Sequence, residues 1–357
     1  MSHLDVLVIG GGPAGSAAAI TARQGGLNVT LIEAQSFPRY RPGESLHPGI
    51  QPLLKQLGIE QQILAANYLR YSGQWNWHRG YNSFEPFGED KHGPWLGFQI
   101  PREELDSCLL NQAKLLGVKV LQPCKALQVL TDNDEVVGVS TSQGDIYAKY
   151  VIDASGHRHW LTKQLNSALE YHSAPLYARY GYAKIAKPSD VLAQPQFKVL
   201  ENEWQWHAQV SKDTIHWTRL YFDSLMFNTE QKAARRQLHK RLHHDITSPP
   251  KVLAHLSKVG LSKGADVSWR KAKMLASNSY YVVGDAAFVL DPASSHGVLK
   301  AVMSGIYAAN LVTQVVHHRL PRQSAAPIYN DWLTTWFLED AQKLKSFYHQ
   351  SLTDPIM

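Results

Sequence analysis

Residues 4–15, Leu4-Asp-Val-Leu-Val-Ile-Gly-Gly-Gly-Pro-Ala-Gly15, decide the fold. An apolar run of strand character ends in Gly10-x-Gly12-x-x-Gly15, with Pro13 and Ala14 inside the turn, and SAAAITARQGG follows with helical composition. Glycines at this spacing allow a tight turn and a close approach of backbone to a pyrophosphate, which the positive end of the helix attracts. Eighteen residues after Gly15, Glu33 ends the next strand, NVTLIEA. An acid there accepts hydrogen bonds from an adenosine ribose and disfavours the 2′-phosphate of NADP, leaving FAD or NAD. A strand, a glycine turn, a helix and an acid-tipped strand make a βαβ beginning.

The rest of the chain constrains this start. It has 357 residues, 44% of them hydrophobic, and a formal net charge of +6, enough for one large domain or two intermingled ones. That charge suits an anionic cofactor or an acidic partner and is too small to signal nucleic-acid binding. Cys108 and Cys124 are the two cysteines, with no CxxC or disulfide pattern, which fits a reducing compartment. The first strand begins almost at the initial methionine, and the apolar run VLKAVMSGIYAANLVTQVV carries Lys300 with many small residues. These features predict no leader, a buried helix in place of a membrane span, and a cytoplasmic setting.

Elements of nucleotide-binding character lie at both ends. Residues 1–66, 95–165 and 275–320 are predicted to form one discontinuous cofactor domain; residues 67–94 and 166–274 a substrate domain; residues 321–357 a helical C-terminal segment. The alternation in YARYGYAKI, WQWHAQV and IHWTRLYF predicts an antiparallel sheet with one exposed face. The segment 231–244, QKAARRQLHKRLHH, reads as a basic helix, and the stretch from Tyr68 to Trp95 as loop or short antiparallel strands.

The far end favours FAD over NAD. YYVVGDAAFVLDPASSHG supplies a strand, Gly284-Asp285, Asp291-Pro292, and a Ser-Ser-His-Gly turn that opens the apolar helix. A carboxylate at a strand end can hold ribityl or ribose hydroxyls, and N–H groups at a helix start suit the partly negative edge of a reduced flavin.

Five ordered motifs carry a resemblance: GGGPAG, Arg41-Pro-Gly-Glu44-Ser45-Leu, FQIPREELD with Arg102, VIDASG with Asp153 and Gly156, and GDAAFVLDPASSHG. The set resembles the p-hydroxybenzoate-hydroxylase-like FAD superfamily, and more narrowly its branch of tryptophan-halogenase-like and geranylgeranyl-reductase-type enzymes. The resemblance implies an α/β, glutathione-reductase-like (Rossmann-type) FAD-binding domain with an inserted antiparallel-sheet substrate domain and a helical C-terminus. It implies that Glu33 binds the ribose, Arg102 the adenosine–pyrophosphate part and Asp285 the ribityl–phosphate linkage. Pro292 and Gly297 would lie along the isoalloxazine, with Arg41, Ser45, Asp153, Gly156, Gly284, Ser295 and Val298 completing the FAD site.

Two departures bear on the reaction. Halogenases of this branch resemble one another in G-W-x-W-x-I-P, whereas this chain reads Glu203-Trp204-Gln-Trp206-His-Ala208-Gln209. Where their lysine is expected stands ANYLRYSGQWNW, with Arg70 and no lysine; arginine stays charged and neither donates a proton nor forms an amine adduct. In its length and in what it lacks, the chain resembles the FAD-dependent maturation enzymes of cysteine tryptophylquinone (lysine and glycine) oxidases. The implied activity is an FAD-dependent monooxygenase whose flavin C4a-hydroperoxide hydroxylates an aromatic ring, such as a tryptophan of a quinoprotein oxidase precursor during tryptophylquinone biogenesis. The alternatives are a flavin-dependent halogenase of a small phenol, pyrrole or indole, and a geranylgeranyl-reductase-like FAD reductase. Electrons would come from a flavin reductase or from NAD(P)H, with no nucleic-acid or membrane partner.

The catalytic candidates are His296 beside the flavin turn, Glu44 in the RPGES loop, and Trp204 and Trp206 as an aromatic wall. Each has a plainer reading: helix entry, loop structure and sheet packing respectively. Tyr68, Tyr71, Trp75 and Trp77 are equally open to packing or substrate contact. His239, His243 and His244 share helical spacing without a completing cysteine or carboxylate set, so a solvated face outweighs a metal site. The basic run Lys232 to Arg241 would serve as docking surface only for an acidic protein substrate.

Overall fold

The computed structural model describes residues 4–78, 80–223, 226–227 and 248–353. The expected basic helix over 231–244, including His239, His243 and His244, lies outside the described residues.

A five-stranded parallel sheet is the scaffold. Its order is Lys119–Leu121, Val29–Ile32, Val6–Ile9, Tyr150–Asp153 and Tyr280–Val282. Strands distant in the sequence therefore meet side by side, with Val6–Ile9 between Val29–Ile32 and Tyr150–Asp153 in parallel register. Every residue of Val6–Ile9 is buried, as expected of a parallel strand covered on both faces. The helix Pro13–Gln24 is alanine-rich, so it offers little bulk to its neighbour. The helix Gly297–Val316 meets it closely enough that a methyl on Gly305 would fall 2.2 Å from the Ala14 carbonyl oxygen. That second helix is long and apolar enough to cross a membrane by length and composition, and in the fold its small residues serve this helix–helix contact.

Beside the scaffold stands a seven-stranded sheet. Its order is Ser257–Asp266, Tyr177–Lys184, Thr214–Tyr221, Glu203–Ser211, Gln196–Val199, Gly73–His78 and Tyr81–Pro86. The pairings are antiparallel except one: Gln196–Val199 runs parallel to Gly73–His78. The purely antiparallel expectation fails at that seam because the Gly73–Pro86 hairpin joins from a remote part of the chain, and no short turn dictates its direction. The stretch from Tyr68 to Trp95 is thus mostly strand. A third sheet of Ala126–Asp132, Glu135–Thr141 and Gly144–Tyr147 turns through Asn133 and Asp134, both at positive φ (46° and 65°), which these two residue types tolerate better than most.

The C-terminus is one helix, Arg322–Thr353. Its 32 residues span about 48 Å at the usual rise, long enough to touch both sheets. Near its start, Tyr329 donates to the Val282 carbonyl oxygen at 2.9 Å and Asn330 Oδ1 accepts from the backbone N–H of Leu275 and Ala276. Near its end, Tyr348 packs under the seven-stranded sheet, touching Phe222 and Trp204.

Candidate functional site

The glycine turn is built for close approach. Gly10 has φ of 102°, and a methyl on Gly15 would lie 1.9 Å from the Gly10 carbonyl oxygen. Gly12 caps the Pro13–Gln24 helix in an extended conformation with no side chain capping the free N–H groups. Glu33 is buried, its Oε2 accepting from the Gly11 N–H at 2.7 Å and its Oε1 from the Gln35 N–H at 2.8 Å. Two arginines flank this end. Arg102 donates to both oxygens of buried Asp106, at 3.0 and 3.2 Å, and to the Pro42 carbonyl oxygen at 2.9 Å. It thereby ties the Arg102–Leu115 helix to the Arg41–Ser45 loop. Arg39 lies over the turn, its Nη2 3.8 Å from Glu33 and 3.6 Å from Asp106. Its Nε is buried with no hydrogen-bond partner, and a methyl on Gly12 would come within 3.3 Å of its Nη2. Uncapped helix N–H groups and an under-satisfied guanidinium suit a pyrophosphate.

Asp153 takes another role. It is fully buried, with Oδ1 accepting from the Ser155 N–H and Oδ2 from the Leu161 N–H, both at 2.9 Å. Both oxygens point into the protein, so Asp153 organises the turn that carries Gly156 (φ 72°) and leaves any cofactor contact to the turn itself. Ser45 donates to Gln99 at 2.6 Å and Arg41 to Gln35 at 3.3 Å.

The flavin turn is more telling. Asp285 is reached by solvent although it follows a fully buried strand and is crowded by protein. That crowding pushes its carboxyl above the ordinary range, while His157, Arg102, Lys300 and Arg270 act in the opposite direction. Pro292, Ser295 and Gly297 are likewise exposed, and a methyl on Gly297 would meet nothing within 4 Å. Ser295 takes φ of 55°, and His296 caps the Gly297–Val316 helix without a side-chain cap bond. An exposed turn with uncapped helix N–H groups and a carboxylate beside it fits an isoalloxazine edge and a ribityl chain. Gly284 lets this turn lie against Ala14, where a methyl would approach to 2.9 Å, and Val298 packs against the core beside it.

His296 is half-buried and sets its ring edge-on to His47, with centroids 5.4 Å apart. Burial, Lys300 and His47 hold its imidazole below the usual range, so it is neutral near pH 7. Asp291, one turn earlier, accepts from the Ala293 N–H at 2.9 Å and from the Trp269 indole at 2.6 Å. Burial raises its carboxyl to about 6.

On the sheet side the two tryptophans part company. Trp204 is 1% exposed, and its indole donates to the Tyr348 hydroxyl at 2.8 Å. It has no free face for a substrate ring, which corrects the expectation of a two-tryptophan wall. Trp206 is half-buried and meets His216 edge-on at 5.5 Å. Glu203, where a halogenase-type motif has glycine, is buried in a two-pronged ion pair with Arg219 of the neighbouring strand. Arg70 is also committed: it donates to the carbonyl oxygens of Gly97 and Leu96 at 3.0 and 2.9 Å and lies over the Phe98 ring. Tyr68 donates to Glu104, Tyr71 to the Leu46 carbonyl oxygen and Trp77 to Gln196, while Trp75 packs on Phe84. Trp75 and Trp77, two apart on the Gly73–His78 strand, share a face of the sheet.

Glu44 is buried. It accepts from the Gly43 N–H at 2.9 Å and from the Tyr182 hydroxyl, and its Oε2 lies 3.3 Å from His216 Nδ1. Sequence reasoning passed over Tyr182, His216, Arg39 and His47. The alternation of YARYGYAKI and IHWTRLYF tells which residues share a face, but not that this face meets the Arg41–Ser45 loop. Among the described residues no group of His, Cys, Asp and Glu could hold a metal ion, and Cys108 and Cys124 are free and buried.

A parallel sheet with a glycine turn, an acid at the second strand tip and an open flavin turn define an FAD-dependent oxidoreductase. The chain belongs to the FAD binding domain family, matched over residues 3–319, in the p-hydroxybenzoate-hydroxylase-like superfamily and with tryptophan-halogenase-like homologues. It is 28% identical to the tryptophan 2-halogenase of Chondromyces crocatus, over 97% of this chain and 68% of that protein. It is 26% identical to the 1H-pyrrole-2-carbonyl-[peptidyl-carrier protein] brominase of Pseudoalteromonas luteoviolacea, over 93% and 80%. Among solved structures, the flavin-dependent halogenase CmlS superposes with a TM-score of 0.83 at 26% identity, over 99% of this chain and 66% of that one. PqsL of Pseudomonas aeruginosa, described as a probable FAD-dependent monooxygenase, shares the fold, with a TM-score of 0.79 at 15% identity over 99% and 97%.

Proposed function

We propose that the protein is a flavin-dependent halogenase of an electron-rich aromatic compound, a pyrrole, phenol or indole, served by a separate flavin reductase. The observation that carries this reading is the relationship to the tryptophan halogenase and the pyrrole brominase across more than nine-tenths of the chain. FAD, when bound and reduced, supplies oxygen activation. The residues of this chain do the rest: Arg39 and the uncapped turn hold the pyrophosphate, Asp285 the ribityl side, and the helix start at Gly297 the pyrimidine edge. Trp206 offers the substrate ring a partly open aromatic face.

A second reading is hydroxylation of an aromatic ring, including a tryptophan of a quinoprotein oxidase precursor. The committed Arg70 and the Glu203–Arg219 ion pair favour it, because the halogenase-type lysine and glycine are replaced by residues with structural duties. One experiment separates the two. FAD-loaded protein is supplied with a flavin reductase, NADH, oxygen and bromide or chloride. Pyrrole, phenol and indole substrates, free and carrier-bound, are offered beside a tryptophan-bearing peptide. A halogenated product supports the first reading; a product with one added oxygen and no halogen supports the second. No aromatic product from any substrate sinks both.

A further inference from the structure

At the junction of the Arg41–Ser45 loop and the seven-stranded sheet, three polar side chains meet out of bulk water. Glu44 and His216 are 4% and 5% exposed. Tyr182, half-buried, donates its hydroxyl proton to Glu44 Oε1. His216 Nδ1 lies 3.3 Å from Glu44 Oε2, yet neither ring nitrogen of His216 makes a hydrogen bond. An imidazole with both nitrogens buried and unpartnered is costly unless it has work to do. Its ring is held in place: Tyr182 stacks on it at 4.7 Å and 17°, while Trp206 and Tyr180 meet it edge-on at 5.5 and 6.0 Å. The cluster borders the flavin turn, since a methyl on Gly43 would sit 3.7 Å from Val298 Cγ2.

We propose that Tyr182, Glu44 and His216 form a proton relay that takes up the ring proton released during substitution on the aromatic substrate. The inference rests on the reading that an electron-rich ring is attacked by a halogen or oxygen electrophile. When the electrophile has bonded to a ring carbon, the C–H bond there breaks and its electron pair restores aromaticity. The proton passes to the Tyr182 oxygen as the Tyr182 proton passes to Glu44. The Glu44 carboxyl, protonated on Oε1, turns to present that proton to His216 Nδ1 and hands it over, leaving a carboxylate beside an imidazolium. Tyr182 is the member with an exposed part and meets the substrate; Glu44 and His216 act through it as positioning residues. Burial raises the Tyr182 hydroxyl far above its usual range, so it conducts a proton and does not store one. Burial also holds His216 below its ordinary range while Glu44 acts in the opposite direction, which keeps the ring neutral at rest. The other charges facing the cluster are Arg102, which senses Glu44, Arg41 beside Tyr180, and Lys263 over the Tyr40 ring that packs on Tyr182. All three are cationic.

Two measurements on the FAD-loaded full chain test this. First, the His216 imidazole is followed by NMR titration, assigned among the 17 histidines by its disappearance in His216→Phe. In Glu44→Gln it should titrate at lower pH than in the natural protein, because the carboxylate that raises it is gone; an unchanged titration overturns the coupling. Second, Tyr182→Phe and His216→Phe are compared with the natural protein in single turnovers on ring-deuterated and ordinary substrate. The relay predicts a fall of about 10²-fold or more, typical of a lost proton-transfer group, with FAD affinity retained and a deuterium isotope effect appearing as C–H cleavage becomes limiting. A slow variant without an isotope effect assigns the cluster a structural role; variants at the natural rate leave the relay idle; either overturns it. Should no substrate yield any aromatic product, the halogenase and hydroxylase readings fall, while the titration still decides the Glu44–His216 coupling.

Discussion

Trp204 donates its indole N–H to the hydroxyl of Tyr348, 2.8 Å away, and Tyr348 in turn bonds the carboxyl of Asp291. Asp291 also holds the Trp269 indole. A residue of the inserted sheet, one of the C-terminal helix and one of the flavin turn are thus joined in a single buried chain. Partial satisfaction of such a chain is worse than its absence, so its members stand or fall together.

Tyr348→Phe should therefore cost about 1–3 kcal/mol, the usual penalty for orphaning a buried donor, read as a lower urea midpoint. Trp204→Phe should fall in the same range, and the product made by the enzyme should stay the same for both. Trp206→Ala is the contrast: little loss of stability and a raised KM for the aromatic substrate. An altered product pattern in Trp204→Phe would return that residue to the substrate wall.

The Asp291 carboxyl, raised to about 6 by burial, sets a pH dependence. Its native value exceeds the unfolded one, near 3.9, so the native state holds the proton more tightly. Stability from this group is complete below about pH 4 and declines as pH rises to about 6, by at most about 1.4 kcal/mol per pH unit. Asp291→Asn, which stays neutral and can still accept from Trp269, should flatten that decline in denaturant unfolding curves taken from pH 4 to 7. An unchanged slope would place the titration elsewhere.

Two glycines should differ in what they cost the fold. Gly15→Ala forces a methyl to 1.9 Å from the Gly10 carbonyl oxygen, and the protein should lose both its fold at the turn and its flavin. Gly297→Ala meets nothing within 4 Å in the protein; its methyl enters the space assigned to the flavin. The apo form should melt as the natural protein does, while FAD binds at least about tenfold more weakly, or about 1.4 kcal/mol. Flavin fluorescence quenching and thermal shifts with and without FAD measure the two effects.

Arg70→Lys tests whether the missing halogenase-type lysine can be restored by a single change. Arg70 spans two carbonyl oxygens and an aromatic face, a geometry an ammonium cannot reproduce. The substitution should destabilise the protein by about 1–3 kcal/mol and bring no gain in halogenated product over bromide titration. A gain would show that this position reaches the reacting centre.

The cofactor half was legible because its requirements are local. The spacing of Gly10, Gly12, Gly15 and Glu33 spells out a turn and a strand tip within one βαβ unit, where neighbours in sequence are neighbours in space. The same holds for the turn from Asp285 to Gly297. The reacting side was not legible. The sequence presents Trp204 and Trp206 as equals on one strand face, yet the C-terminal helix, arriving from 144 residues away, buries one and leaves the other partly open. Asp153 reads as a cofactor ligand by motif, but a turn only a few residues further on consumes both of its oxygens.

What the sequence determined by itself is the FAD-binding architecture and the alternating strands of the second sheet, since both follow from periodicity and turn chemistry at short range. The tertiary structure alone decided that Glu44 of an early loop meets Tyr182 and His216 of two later strands, and that Arg70 and Glu203 are spent on structure. Such meetings depend on how sheets pack and on which polar groups are left unsatisfied when they do, and neither is written in any local stretch of residues.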